Sequence, residues 1–433
     1  MNVRNVLSAI LIVTAGLVAN DTLAQSTQEI PDLFKPMTSG MIKALGLTAG
    51  VGADVVPEKD PTVVRSRLVE LDSKILSQHL SDFDVNFAEA APIRFNLFED
   101  VAFVMITDRV EFVSEVQIHV VGHSIDDDRS RAYFVVHHGK ITGNIYIDNV
   151  QYQIRPVDED VQSITQIDQG GFVDELEPDA PDIERDEQDG SELDSPPNEP
   201  AVIDVAVFYT KRTRTQSNDI DAEISLAVLL TNESYANSQI SQRLRLVYVA
   251  EVDYSGSGDL RLDRDRLQEP NDSHLDSVHP LRDARKADLV SLWVENGSEG
   301  ACGIAFIMNV VSPTFAPFGF SVVRRKCATG YYSFGHELGH NMGARHDRRV
   351  DTTDMSPFNH NHAYVKPNKR WRTIMGYNRA CKDISVVCER VQFWSNPDVA
   401  LDGVPMGIAS PSGNAADNRL TLNKTASVVA GFR

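Results

Sequence analysis

The sequence predicts an α+β or α/β protein in which a small β-rich domain precedes a larger mixed domain. Between Ile93 and Arg155, short runs of Val, Ile, Phe and Tyr alternate with turn residues, as is typical of antiparallel strands. From Ala201 onward, β-branched runs alternate with helical patterns, which favours a mixed sheet covered by helices. An acidic, proline-containing stretch at residues 156–200 separates the two regions.

Length and charge limit the classes of function. The chain has 433 residues, of which 42% are hydrophobic, so it can form two or three domains with proper cores. Its net charge is −21, which argues against binding to nucleic acid. Residues 156–200 alone contain 16 acidic residues and one basic residue, so the acidity belongs mainly to one segment and not to a binding face.

The first 24 residues are predicted to be a secretory signal peptide. Arg4 supplies the positive start, Val6–Ala19 is apolar, and Thr22-Leu23-Ala24 offers a cleavage site with small residues. A membrane anchor is the alternative, but the apolar run is short and nothing basic follows it. We therefore expect a secreted protein with no membrane association after signal cleavage.

Residues 25–155 are predicted to form the small β-rich domain. Val63–Leu80 carries apolar residues at helical spacing, so we expect a helix there. Strands are predicted at Ala102–Ile106, Val116–Val121, Ala132–Val136, Gly143–Ile147 and Gln151–Arg155. His137 and His138 lie at a hairpin turn between two of these runs, and we interpret them as solvated turn residues and not as ligands.

Residues 156–200 are predicted to be a disordered or extended linker. High charge, few apolar residues and repeated prolines do not support a packed core. A flexible tether between two packed domains is where proteases cut most readily. We therefore expect maturation cleavage between about Gly170 and Pro200.

Residues 201–433 are predicted to form the second, mixed domain. Strands are expected at Val202–Tyr209, Leu244–Val252, Asp288–Val294, Ile304–Met308 and Phe320–Val323, and helices at Asp221–Asn237, His274–Ala287, Tyr332–Met342 and Asp417–Phe432. Ile304–Met308 is the expected edge strand of the sheet.

All four cysteines lie in the last third of the chain. In an exported protein an even number suggests disulfides, for which three connectivities are possible. We expect Cys302 to pair with Cys327 and Cys381 with Cys388, because each pair flanks one local segment. A Cys/His metal cluster is the alternative, but no CxxC spacing supports it.

The stretch HELGHNMGARHD at residues 336–347 is the main functional pattern. On a helix, His336 and His340 are four residues apart and share a face, so their imidazoles can converge on one ion. His346 would face away if the helix continued. Gly343 can adopt a positive φ, end the helix and turn the chain back, which lets His346 reach the same point.

This spacing predicts a catalytic metal site. Three neutral histidines leave the fourth position of a zinc ion open for water. A catalytic zinc site requires this open position, whereas a structural zinc site has four protein ligands. Glu337 follows the first histidine and lies close enough to act on that water. A surface helix that carries histidines by chance is the alternative, and the fixed positions of the glycine and the third histidine argue against it.

The motif HExxHxxGxxH resembles the signature of the metzincin zinc endopeptidases. Asp347, directly after it, resembles the adamalysin (reprolysin-like) branch. The resemblance implies a metzincin fold for residues 201–433, with the motif helix behind a mixed sheet. It also implies that the three histidines bind Zn2+ and that Glu337 is the general base, while Asp347 supports the turn from helix to loop.

The β-rich region resembles the propeptides of bacterial reprolysin-like proteases. In those propeptides a β-rich segment ends in a Gly…Tyr-x-Ile-x-Pro stretch, which corresponds here to Gly143, Tyr152, Ile154 and Pro156. The resemblance implies that residues 25–155 are a propeptide domain that inhibits its own enzyme. Many relatives use a propeptide cysteine for this purpose, but no cysteine precedes Cys302, so another residue or steric blockage must act here.

Thr373-Ile374-Met375-Gly376-Tyr377 matches the tight methionine turn of metzincins. By its chemistry alone, Met375 would more often be core filler, but the resemblance implies a soft hydrophobic base under the histidines. In the astacin and serralysin branches a tyrosine two residues later stabilises the developing oxyanion, whereas the adamalysin branch generally lacks it. Tyr377 is therefore a candidate catalytic residue, with a structural phenol hydrogen bond as the alternative.

The expected protein is a secreted zinc metalloendopeptidase made as a zymogen. We expect a monomer that binds protein or peptide substrates as extended strands along Ile304–Met308. A catalytically silent, metal-dependent binding or inhibitor protein on the same fold is the alternative, although the presence of Glu337 argues against it. Hydrolysis of a non-peptide amide would use the same zinc site and stays open.

Overall fold

The computed structural model describes residues 30–44, 60–86, 91–183, 200–295 and 300–433. The predicted signal peptide, Met1–Ala24, lies outside these ranges. None of the helices within them combines the length and the apolar character that a membrane crossing demands.

Among the described residues, nine strands of the N-terminal half form one antiparallel sheet in the order β1-β2-β9-β8-β7-β6-β5-β4-β3. They are β1 (Phe34–Pro36), β2 (Val63–Leu71), β3 (Ile93–Phe98), β4 (Val101–Phe112), β5 (Gln117–Ser124), β6 (Arg131–His137), β7 (Lys140–Ile147), β8 (Val150–Pro156) and β9 (Val161–Ile167). Helices α1 (Ser39–Ala44) and α2 (Ser73–Asn86) accompany them.

One face of this sheet carries the apolar core of the N-terminal half. Phe95 stacks on Phe134 with 4.8 Å between ring centroids, and Phe103 packs edge-on against Phe95. Tight turns join neighbouring strands, and His138 and Gly139 both have positive φ in the turn between β6 and β7. His137 is not simply solvated as predicted, because its Nδ1 lies 2.9 Å from the carboxylate of Asp219 in the second half of the chain.

Two sequence predictions for this half are wrong. The predicted helix Val63–Leu80 is the strand β2 followed by the helix α2, because pairing with β1 and β9 outweighs the local helical spacing. The predicted linker at 156–200 contains β9, which fills the place between β2 and β8. The acidic run at 158–160 is only the turn that leads into β9.

In the part of the chain that the structure describes, the second half contains a five-stranded mixed sheet in the order β11-β10-β12-β14-β13. Its strands are β10 (Val202–Thr210), β11 (Arg243–Val252), β12 (Leu289–Val294), β13 (Gly303–Ala305) and β14 (Phe320–Arg324). The first four in this order are parallel, and only β13, at the edge, is antiparallel to its neighbour β14.

Helices cover this sheet on both faces. The helices described in this half are α3 (Lys211–Thr215), α4 (Ile220–Asn237), α5 (Leu260–Gln268), α6 (Val278–Arg285), α7 (Arg325–Gly330), α8 (Ser333–Asn341), α9 (Arg379–Lys382) and α10 (Asn418–Val429), of which α9 lies in the irregular region after α8. The predicted helix His274–Ala287 begins only at Val278, because Ser273 and Leu275 have positive φ. Helix α5 was not predicted, since its charged sequence buries few apolar residues.

Helix α4 lies between the two sheets. Asp219 caps its first turn by accepting a hydrogen bond from Ala222 N. One face packs on the mixed sheet through Ile224, Ala227 and Val228. The opposite face meets the N-terminal sheet in an apolar cluster of Ala222, Leu226, Leu229 and Leu230 with Val121, Tyr133 and Val135. This helix therefore holds the two halves together.

The chain after α8 is mostly irregular. It contains the strands β15 (Val365–Lys366), β16 (Trp371–Arg372) and β17 (Glu389–Arg390), and the hairpin of β18 (Asn396–Leu401) and β19 (Val404–Met406). Disulfides join Cys302 to Cys327 and Cys381 to Cys388, so both predicted pairs are confirmed.

Candidate active site

Helix α8 carries the first two histidines into the interior, where every residue of the helix is buried. It ends at Asn341, and Gly343 has a φ of +87°, a conformation that residues with a side chain rarely adopt. Ala344 N donates to the carbonyl of Gly339, which closes the helix end. The chain then turns back as predicted and brings His346 under the helix.

The three predicted histidines converge on one point. The Nε2 atom of His346 lies 3.1 Å from that of His336 and 3.0 Å from that of His340. On the opposite ring edge, His336 Nδ1 lies 3.0 Å from the carbonyl of Ile374, and His340 Nδ1 lies 2.8 Å from that of Ala344. These carbonyls accept the Nδ1 protons and leave the Nε2 lone pairs facing one another.

This donor set fits a metal ion. Three lone pairs that point at a common centre repel one another unless a cation lies between them. All three rings are fully buried, and burial holds the pKa values of His336 and His340 well below their ordinary value, so these imidazoles are neutral. Neutral imidazole with its other nitrogen bonded to a carbonyl or carboxylate is the usual form of a metal-binding histidine.

Glu337 is buried beside this centre. Neither of its carboxylate oxygens has a hydrogen-bond partner among the described residues. The nearest chain is the edge strand, where a Cβ built on Gly303 would come within 2.5 Å of Glu337 Oε1. Burying a carboxylate without a hydrogen-bond partner costs folding free energy, so this position favours a functional role for Glu337, such as binding a reacting water, over a structural one.

Met375 lies under helix α8 as predicted. Its side chain is fully buried, and a Cβ built on Gly339 would come within 3.0 Å of Met375 Sδ and 2.7 Å of the Trp394 ring. The glycine within the motif thus allows the methionine turn and Trp394 to approach the helix backbone. The preceding carbonyl, that of Ile374, orients His336.

Asp347 joins the end of the motif to the methionine turn. Its carboxylate accepts hydrogen bonds from Tyr377 N at 2.9 Å and from Arg349 N at 3.0 Å. The ring of Tyr377 packs on that of His346 with 4.0 Å between centroids. The Tyr377 hydroxyl donates to the backbone carbonyl of Glu175 at 2.7 Å.

Residues 172–183, which we call the cleft segment, lie over this centre. Leu176 N donates to the carbonyl of Gly303 at 2.9 Å, and Ile307 N donates to the carbonyl of Asp179 at 3.0 Å. The cleft segment therefore pairs in parallel with the chain at the sheet edge. The predicted edge strand Ile304–Met308 is shortened to β13, because Phe306 and Ile307 pair with the cleft segment and not with β14.

Side chains of the cleft segment also reach the centre. Glu177 Oε2 lies 3.1 Å from Nδ1 of His346. Asp179 forms ion pairs of 2.7 Å with Arg261 and Arg264. Phe172 stacks on the ring of Tyr331 with 5.0 Å between centroids. The cleft segment is therefore a packed part of the fold and not the linker that its composition predicted.

Glu175 is the buried carboxylate of the cleft segment. Its two oxygens accept from the guanidinium of Arg390 at 2.6 Å and 2.8 Å, and Oε1 also accepts from Ser333 Oγ at 2.6 Å. Burial by itself raises the pKa of Glu175, but the charge and hydrogen bonds of Arg390 outweigh it and hold this pKa below its ordinary value. Removing one partner of such a pair costs about 3–5 kcal/mol.

The sequence did not point to Arg390 or Glu175. Arg390 is one of many arginines in an irregular region, and Glu175 lies in the acidic stretch that was interpreted as a linker. A signal was present, because Phe172, Val173 and Leu176 are apolar residues around Glu175. Apolar residues this close together indicate a segment that packs against the fold, whereas a solvated tether contains few of them.

Comparisons with known proteins agree with this geometry. A family model of reprolysin type, described as metallo-peptidase family M12, matches residues 199–394. A peptidyl-Asp metalloendopeptidase of Stenotrophomonas maltophilia strain K279a is 33% identical over 318 residues, which cover 71% of this chain and 72% of that protein. A second, from strain R551-3, is 37% identical over 238 residues, or 54% of this chain.

The chain spans about half of the length of that second relative, 53%. Among solved structures, the metalloproteinase-II of Bacteroides fragilis aligns with 62% of this chain and 85% of its own, with a TM-score of 0.40 and 12% identity.

Proposed function

The chain belongs to the reprolysin-like metallopeptidases of family M12, and from that premise we propose that it is a zinc-dependent endopeptidase made as a secreted proenzyme. The convergence of the three histidine Nε2 atoms within one buried cluster is the observation that carries the proposal. His336, His340 and His346 are the proposed ligands of Zn2+. When bound, zinc supplies a Lewis acid that activates water and polarises a carbonyl group.

In the proposed mechanism, Glu337 accepts a proton from the attacking water and passes it to the leaving amide nitrogen. Its unpartnered carboxylate next to Gly303 faces the place where a peptide would pair with the sheet edge. Tyr377 donates a hydrogen bond to the scissile carbonyl oxygen as negative charge develops on it. The hydroxyl group is already within 2.7 Å of a peptide carbonyl, that of Glu175.

The N-terminal sheet and the cleft segment act as the propeptide in this proposal. The cleft segment uses the hydrogen-bonding groups of Gly303 and Ile307 that an extended substrate would need. Latency thus results from steric blockage and needs no cysteine. Maturation requires a cut after the cleft segment, and residues 184–199, with their charge and prolines, are the proposed place.

The names of the relatives indicate the substrate class. Both are peptidyl-Asp metalloendopeptidases. We extend this to the present chain as a preference for peptide bonds next to an aspartate residue. We also propose that the protein acts outside the cell as a monomer, after removal of the signal peptide.

The test is cleavage of a peptide library by the protein obtained when the full-length chain has been expressed and allowed to undergo processing. We expect cleavage that is abolished by a chelator, restored by Zn2+ and absent in Glu337→Ala. Mass spectrometry of the new N-termini gives the residue preference and the maturation site. Failure of the metal-loaded, processed protein on all peptides would favour the alternative, a silent binding or inhibitor protein on the same fold.

A further inference from the structure

The Glu175–Arg390 pair joins the two functional parts of the molecule. Glu175 belongs to the cleft segment, and Arg390 belongs to β17 of the catalytic half, 215 residues later in the chain. Both side chains are fully buried in the pair. The pair is therefore an interface contact that disappears when the propeptide leaves, and not an internal contact of the catalytic half.

The catalytic half supplies every group that holds the Glu175 carboxylate. Arg390 binds both oxygens, and Ser333, at the start of helix α8, donates to one of them. The guanidinium is itself fixed from behind, because it donates to the carbonyls of Tyr331 at 2.9 Å and Gly376 at 3.4 Å. A rigid, bidentate cation with an added hydroxyl donor has the geometry that recognises a carboxylate.

This carboxylate pocket adjoins the proposed reaction centre. Glu175 Oε2 lies 3.9 Å from His336 Nδ1. The backbone carbonyl of Glu175 accepts from the Tyr377 hydroxyl, and the next residue, Leu176, donates to Gly303 at the sheet edge. Two consecutive residues, Glu175 and Leu176, therefore occupy the acid pocket, the proposed oxyanion donor's hydrogen bond and the strand edge together.

Release of the propeptide leaves Arg390 without its carboxylate. Among the described residues, the carboxylates that pair with Arg390 are those of Glu175, at 2.6 Å, and Asp174, at 3.8 Å, and both acids belong to the part that leaves. Backbone carbonyls carry only partial charge and do not neutralise a buried guanidinium. A substrate carboxylate would restore the lost ion pair.

We infer that the Arg390–Ser333 pocket is the specificity subsite that binds the acidic side chain of a substrate next to the scissile bond, and that Glu175 is its built-in occupant in the proenzyme. The inference rests on the proposed peptidase function and assigns its acidic preference to named residues. It also gives the propeptide a chemical means of inhibition: the cleft segment competes through the same ion pair that selects substrates.

The first experiment compares processed wild type with Arg390→Gln and Arg390→Lys on peptides that differ only by Asp, Glu or Asn beside the scissile bond. We expect wild type to prefer the acidic peptide to its Asn counterpart by at least tenfold in kcat/KM, at about 1.4 kcal/mol per factor of ten. Arg390→Gln should abolish this preference, and Arg390→Lys should retain part of it. Arg379→Gln, an exposed arginine of α9, is the charge-matched control and should keep the full preference.

A second experiment needs no catalysis. The processed protein, separated from its propeptide and treated with chelator, is titrated calorimetrically with a synthetic peptide of residues 172–182. We expect the Glu175→Gln peptide to bind at least tenfold more weakly than the native peptide, and the Asp182→Asn peptide, which loses an exposed charge, to bind equally well. This binding difference should be lost in Arg390→Gln.

The outcomes separate the two proposals. Binding that depends on Glu175 without any peptide cleavage would overturn the peptidase function and keep the acid pocket. Cleavage with an acidic preference that survives Arg390→Gln would overturn the pocket and leave the peptidase function intact. Should Arg390→Gln not fold, Ser333→Ala provides the test, since it removes one donor to the carboxylate and should lower the acidic preference severalfold.

Discussion

Glu337 has the environment of a proton carrier and not of a structural acid. Its side chain is fully buried, and neither oxygen has a partner among the described residues. We expect Glu337→Gln to lower kcat on the order of 10²–10⁴-fold, because the amide keeps the shape but cannot accept the proton. Steady-state kinetics measure this loss, and metal analysis should show an unchanged zinc content. The exposed Glu269→Gln is the control, and retained turnover in Glu337→Gln would remove the proposed base.

The Tyr377 hydroxyl donates to the backbone carbonyl of Glu175, at the place that the proposed mechanism assigns to a substrate carbonyl. Tyr377→Phe should therefore lower kcat on the order of 10²-fold, as loss of one oxyanion donor does, with little change in KM. The kinetic parameters of the processed variant give the answer. An unchanged kcat, or an effect on KM alone, would assign the hydroxyl a structural role.

At the residue scale, the sequence could predict contacts that are local. His336, His340 and Gly343 lie within one helix and its end, where spacing determines geometry. The pairing of Glu175 with Arg390 could not be predicted in this way, because it joins residues 215 positions apart. Only the packing of the cleft segment against the sheet edge brings them together.

Helix α8 depends on a residue that has no side chain. A Cβ on Gly339 would come within 2.7 Å of the Trp394 ring and 3.0 Å of Met375 Sδ, so the Trp394 ring must shift and the Met375 side chain must move slightly to accept it. We expect Gly339→Ala to destabilise the fold by about 1–3 kcal/mol, as overpacking does, and to weaken zinc binding. Thermal unfolding with and without chelator measures both effects.

Gly413→Ala is the matched control for this change, since nothing lies within 4 Å of the added Cβ. Its Tm should equal that of the wild type. Equal stability of the Gly339 variant would mean that Met375 and Trp394 are not held against the helix as described.

Strands with a continuous apolar run were predicted within a residue or two. Val202–Tyr209 and Leu244–Val252 correspond closely to β10, which is buried on both faces, and to β11, which is half-buried at the sheet edge but has few polar residues. Strand β9 was not predicted, because the acidic residues on both sides of it dominate the composition of residues 156–200. Its apolar residues Val161, Ile164 and Ile167 are buried, but they lie three positions apart and do not show the alternation by which a strand is recognised in a sequence.

Asp288 connects distant parts of the whole molecule. Its carboxyl group accepts from the backbone N–H of Asp204 on β10 and from that of Arg433 at the C-terminal residue of the chain. Burial raises the pKa of Asp288 to about 6, above its ordinary value of 3.8. This group therefore stabilises the fold fully below about pH 4, and the contribution is lost as the pH rises through about 6.

We expect Asp288→Asn to remove this pH dependence, because the amide never ionises, although it keeps only one of the two acceptor oxygens. Urea unfolding at a series of pH values should show that the wild type loses stability between pH 4 and pH 7, whereas the stability of the variant changes less over this range. Parallel stability curves for the two proteins would contradict the raised pKa.

The face of helix α4 that meets the N-terminal sheet has a consequence for the stability of the enzyme that the proposed maturation would release. Leu226, Leu229 and Leu230 of this face are buried in one apolar cluster with Val121 and Tyr133 of the proposed propeptide. In the proposed maturation the catalytic half loses the sheet on which this face packs, and the apolar face then meets water. Its persistence after maturation becomes a matter of slow unfolding and not of equilibrium. We expect hysteresis: the full chain should refold on dilution from denaturant, whereas the processed enzyme should aggregate under the same conditions, as light scattering will show.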